Sequence, residues 1–119
     1  MAYATESALE RKFKDWCDDH DVICIKGPAH LAKGFPDRFA QLPNGGGSVH
    51  VEFKGTSYYG LSKMQLMWKD YLIDSNPHRY FIVEDTDQLA YLIKRCEQLI
   101  AIGPQVVAYE DELLKNLQD

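Results

Sequence analysis

Five residues, Pro43-Asn44-Gly45-Gly46-Gly47, stand between two short stretches with alternating side chains. An asparagine followed by three glycines tolerates positive φ at several positions, which is what a tight chain reversal requires. The flanks are Asp37-Arg38-Phe39-Ala40-Gln41-Leu42 and Ser48 to Lys54, and both read as strands. The chain is therefore organised around a β-hairpin. Alternation along its second strand places His50, Glu52 and Lys54 on one face and Val49, Val51 and Phe53 on the other. Asp37 falls near Phe53 across the turn. It reaches Glu52 only if the register puts both on one face.

The remaining elements fit around that hairpin. Leu9, Phe13, Trp16 and Cys17 recur at helical spacing, so a first helix is expected over about 6–19, capped by Thr5 or Ser7. Val22 to Lys26 is a short β-branched run, expected to be a buried strand. Ser62-Lys63-Met64-Gln65 is a capping box opening a second helix to about Asp74. Its stripe of Met64, Met67, Trp68, Tyr71 and Leu72 is expected to be core. Arg79 to Val83 reads as a fourth strand, and Asp85 or Thr86 caps a third helix ended by Gly103-Pro104. Gln105 to Tyr109 reads as an edge strand or extended segment, and Tyr109 to Leu117 as a short acidic helix. The order predicts an α/β fold, a small mixed sheet with a central hairpin flanked by helices. The expected division is residues 1–103 as the domain and 104–119 as an acidic extension of it.

A length of 119 residues, 45% of them hydrophobic, suits one core. No apolar run approaches a membrane span and no secretory signal is evident, while three irregularly spaced cysteines argue against a disulfide framework. A cytoplasmic location is the resulting expectation. The net charge of −5 argues at first against nucleic acid. Its distribution reverses that. Glu84 to Asp119 holds eight acids and three bases, which accounts for the whole net charge. Lys26 to Lys69 holds six bases, and its only acids are Asp37 and Glu52.

Two carboxylates on adjacent strands suit a hard divalent cation, which takes one or two carboxylates and fills its shell with waters and phosphate oxygens. The Phe53 carbonyl is a further candidate ligand. A lysine two residues past the glutamate would stand beside a coordinated water and a phosphate. Gln65 reads equally as helix cap or as an orienting group for Lys54. Glu6 and Glu10 lie one turn apart on the first helix, where spacing alone favours helix-start chemistry for both.

Gly34-Phe35-Pro36-Asp37-Arg38, Val51-Glu52-Phe53-Lys54 and Leu61-Ser62-Lys63-Met64-Gln65 together resemble the VRR-NUC domain of the PD-(D/E)XK nuclease superfamily. The resemblance covers roughly residues 6–100. It implies a restriction-endonuclease-like core that cleaves DNA phosphodiesters with Mg2+, Mn2+ substituting. Asp37 and Glu52 would be metal ligands, Lys54 the catalytic lysine and Gln65 the helix glutamine. Glu6 would match the first-helix acid, with Glu10 its rival. Lys26, Lys33, Arg38 and Lys63 are the candidate DNA contacts. Short stand-alone members look like phage or bacterial proteins, and some act as homodimers on branched DNA such as four-way junctions. Two alternatives stay open: a restriction-like or nicking enzyme on unbranched DNA, and a non-catalytic DNA-binding module. A zinc site at Cys17, His20 and Cys24 has no evident fourth ligand. His30 and His50 fall in the basic window, and Tyr58 and Tyr59 suit base stacking or core capping equally.

Overall fold

The computed structural model describes residues 4–27, 33–55, 60–75 and 79–103. His30, Tyr58, Tyr59 and everything after Gly103 lie outside the described residues, the expected edge strand, final helix and acidic extension included. In chain order the elements are α1 (Glu6–Asp19), β1 (Ile23–Lys26), β2 (Arg38–Leu42), β3 (Gly47–Phe53), α2 (Lys63–Ser75), β4 (Tyr80–Val83) and α3 (Thr86–Ile102). The strands form one sheet in the order β1-β2-β3-β4. β1, β2 and β3 run antiparallel, and β4 joins β3 in parallel through the α2 crossover. This is the mixed α/β sheet around a central hairpin that the sequence predicts.

Each helix starts where a side chain can cap it. Thr5 Oγ1 accepts from Ala8 N at 3.2 Å and so opens α1, which decides between Thr5 and Ser7. Asp85 Oδ1 accepts from Gln88 N at 2.9 Å and opens α3. The hairpin turn is fastened at both sides. Asn44 donates to the Ile100 carbonyl at 2.7 Å, and the buried Arg79 guanidinium donates to the Gly46 carbonyl at 2.9 Å. Gly47 has φ +83°, and a Cβ there would stand 2.6 Å from the Arg79 guanidinium. Both backbone conformation and space therefore require glycine.

The sheet buries one face under two helices. Leu9, Phe13 and Cys17 of α1 and Leu89, Leu92 and Cys96 of α3 enclose Ala40, Leu42, Val49, Val51, Phe53 and Val83. Helix α2 lies on the opposite face, where Gln65 meets Glu52 and Trp68 packs edge-on to Phe35 at 5.0 Å between centroids.

Two expectations about burial are corrected. β1 is not a buried strand: Ile23 and Ile25 are exposed, with only Cys24 half-buried. The run sits at the sheet edge: Val22, just before the strand, enters the core, while Ile23 and Ile25 satisfy strand preference without doing so. The α2 stripe is not core either. Met67 is 51% and Tyr71 66% exposed, while Met64, Trp68 and Leu72 are half-buried. Among the described residues α2 is the one helix on the second face, and much of its own apolar surface is exposed.

Candidate active site

The antiparallel ladder between β2 and β3 ends at the pair Arg38 and Val51. Continued by one step, the register sets Asp37 opposite Glu52 with both side chains on one face. The chain does not complete that rung with peptide groups. Phe53 N donates to Asp37 Oδ2 at 2.8 Å, and Asp37 N donates to Glu52 Oε2 at 3.2 Å. Carboxylates thus replace carbonyls as acceptors where the strands part, which keeps backbone donors satisfied beside a gap. Buried Pro36 leads into Asp37, and Gly27 N donates to the Asp37 carbonyl at 2.8 Å. A Cβ on Gly27 would fall 1.9 Å from the Pro36 carbonyl oxygen, so that approach needs glycine.

The second carboxylate is more deeply set. Glu52 is 2% exposed. Its Oε1 accepts from Gln65 Nε2 at 2.6 Å and stands 3.7 Å from Lys54 Nζ. Lys54 Nζ donates to Gln65 Oε1 at 2.9 Å. Ser62 N donates to that same oxygen at 2.9 Å, while Gln65 N donates to Ser62 Oγ at 3.2 Å. The two readings of Gln65 are therefore both realised. One end of its carboxamide closes the capping box of α2, and the box aims the other at Glu52.

Burial, followed by the nearby Asp37 carboxylate, pushes Glu52 up to about 7. Burial likewise raises Asp37, opposed by the Phe53 N–H and reinforced by Glu10 and Glu6. Two crowded, desolvated carboxylates are the donor set a hard cation relieves. The Phe53 carbonyl points the same way as its N–H, toward Asp37. These three groups fit magnesium's preference for few protein oxygens. Among the described residues, no group of three or more His, Cys, Asp or Glu is placed to hold a metal. In that region Cys17 is buried and the exposed His20 ring stacks on Trp16.

The other candidates divide. Glu10 Oε1 accepts from Arg38 Nε at 2.8 Å, with both side chains largely covered. Glu6 lies beside the end of β3, where a Cβ on Gly55 would approach its backbone N to 3.0 Å. Its charge acts on both Asp37 and Glu52. Lys26, Lys33 and Lys63 are exposed. His50 is edge-on to Phe35 and Phe39, and burial lowers its pKa. Sequence reasoning missed Tyr80. It pairs with His50 across the parallel ladder and shares its face. Burial raises its hydroxyl pKa, with Glu52 and Asp37 adding to the rise. Nothing local marks Tyr80, because only the α2 crossover brings β4 beside β3.

No known family model matches the chain, and neither does any curated protein. A solved structure described as a VRR_NUC domain superposes with a TM-score of 0.62, covering 76% of this chain and 97% of that one. The fold is that of a VRR-NUC domain. Identity over the match is 22%.

Proposed function

We propose that the chain is a metal-dependent endonuclease that hydrolyses DNA phosphodiesters. The observation that carries this reading is the fork of the hairpin. There Asp37 and Glu52 meet, Gln65 donates to Glu52 at 2.6 Å, and Lys54 donates to Gln65 at 2.9 Å while standing 3.7 Å from Glu52. A structural ion pair would need only one acid and one base. Here a buried and a half-buried acid are crowded together, and a cation and phosphate would resolve the crowding.

Asp37, Glu52 and the Phe53 carbonyl would hold Mg2+, with Mn2+ substituting. When bound, such a cation lowers the pKa of a coordinated water and stabilises charge on phosphate. Lys54 supplies a fixed positive charge beside the attacked phosphate, where developing negative charge is stabilised. Gln65 keeps Lys54 and Glu52 in register while both are desolvated. Glu6 adds negative charge at the rim. Exposed Lys26, Lys33 and Lys63 offer phosphate contacts at long range. Arg38, paired with Glu10, acts on DNA only if that ion pair opens.

Two finer features belong to the proposal. The substrate is branched DNA, such as a four-way junction, and two copies of the chain act together. Exposed Ile23 and Ile25 on edge strand β1, with Met67 and Tyr71 on α2, offer apolar surface for a second copy. The test incubates labelled four-way junction, flap, duplex and single strand with Mg2+, Mn2+ or chelator, alongside light scattering for mass. Metal-dependent cutting of the junction by a dimer is expected. Cutting that persists in chelator sinks the metal role. Equal cutting of duplex and junction sinks the branch preference, and binding without cutting under every metal leaves a non-catalytic DNA-binding module.

A further inference from the structure

A carboxamide exchanges donor for acceptor when it turns over, at nearly constant shape. For Gln65 that choice decides whether Glu52 faces an N–H or an oxygen. Three partners fix it in the resting protein. Lys54 Nζ and Ser62 N both donate to Oε1 at 2.9 Å, and Glu52 Oε1 accepts from Nε2 at 2.6 Å. Two of these, Lys54 and Glu52, are the groups that phosphate and cation would recruit. A bound cation and phosphate would compete with Gln65 for both. Ser62 N–H lies outside that pair and is retained.

The start of α2 is also pressed onto the loop that delivers Asp37. Gly34 has φ +84°, and a Cβ there would lie 2.6 Å from the Met64 backbone and 2.8 Å from Gln65 N. One turn further along, Trp68 Nε1 donates to the Lys33 carbonyl at 3.2 Å. The Ser62 side chain anchors its own N–H in turn: its Oγ accepts from Gln65 N at 3.2 Å, so loss of the hydroxyl opens the reciprocal box that sets the carboxamide's rotation, while Gly34 sets its distance from the carboxylates.

We propose that Ser62 and Gly34 are positioning residues, which together keep the N–H end of Gln65 on Glu52 while the site is loaded. This rests on the nuclease reading for its purpose, but not for its test. The Gln65 side-chain amide, assigned by its loss in Gln65→Ala, is observed by 1H–15N NMR in the metal-free, DNA-free protein. Two well-separated, exchange-protected signals are expected. Ser62→Ala and Gly34→Ala each move them toward free-glutamine values. Ser62→Thr and Ser62→Asp retain them, because both can accept from Gln65 N. In cleavage, Ser62→Ala lowers kcat about tenfold with KM for DNA held within about twofold, the signature of misplacement rather than lost binding. Unchanged amide signals in Ser62→Ala overturn the proposal, as does unchanged kcat when the signals have moved. If the wild-type protein cuts no DNA, the nuclease reading fails, and the amide signals still decide whether the mount exists.

Discussion

Lys54 and Asp37 are three hydrogen bonds apart in one cluster, yet their substitutions separate cleanly. Lys54 donates to Gln65 and is not among the proposed metal-holding oxygens. Lys54→Ala is therefore expected to reduce cleavage by about a hundredfold or more while Mn2+ and DNA affinities stay near wild type. Asp37 Oδ2 accepts the Phe53 N–H and would also face the cation. Asp37→Asn should lose cleavage and Mn2+ affinity together, measured by calorimetry beside a single-turnover assay. Retention of most activity in Lys54→Ala would place the site elsewhere. At this scale the sequence was informative about types and mute about partners. Glu52 and Lys54 share a face by alternation alone. That Gln65 bonds both of them, and caps its helix as well, depends on where α2 lands.

At the scale of elements, the fork exists because β2 and β3 are pinned at the far end. The turn is tied to α3 through Asn44 and to Arg79 through the Gly46 carbonyl. Gly47→Ala places a methyl against the Arg79 guanidinium at a positive φ. It should cost at least about 1 kcal/mol in urea unfolding, with activity per folded molecule changed little. The glycine turn was legible because positive φ selects its residues locally. The exposure of β1 and α2 was not. Composition and period report that a segment has an apolar face, but neither says what remains to cover it. Ile23, Ile25, Met67 and Tyr71 all satisfy the local pattern of core and all stand in solvent.

For the whole molecule, the buried Glu52 and its neighbour Asp37 make stability depend on pH and cation together. Glu52 is raised from its unfolded value near 4.5 to about 7. The folded state thus binds the extra proton between those values, and stability falls as pH rises through that window. The loss is on the order of 3 kcal/mol from this group, complete above about pH 7. A bound cation favours the ionised form and opposes the loss. Thermal melts with and without Mg2+ should therefore show little cation effect at pH 5 and a rise of several degrees at pH 8. Asp37→Asn should abolish that rise. A pH-independent Mg2+ effect would separate the cation from these carboxylates.

The sequence by itself determined the hairpin, the element order, the capping box of α2 and the face shared by Glu52 and Lys54. Each follows from backbone preferences and periods that act within a few residues. Only the tertiary structure decided that Asp37 stands opposite Glu52, that Glu10 is committed to Arg38, and that Tyr80 joins the site face. Those outcomes depend on strand register and on a parallel crossover, which join residues far apart in the chain. The residues that could do chemistry were visible from the start. Whether they meet was settled by packing, where the hairpin stops pairing and its last rung is made of carboxylates.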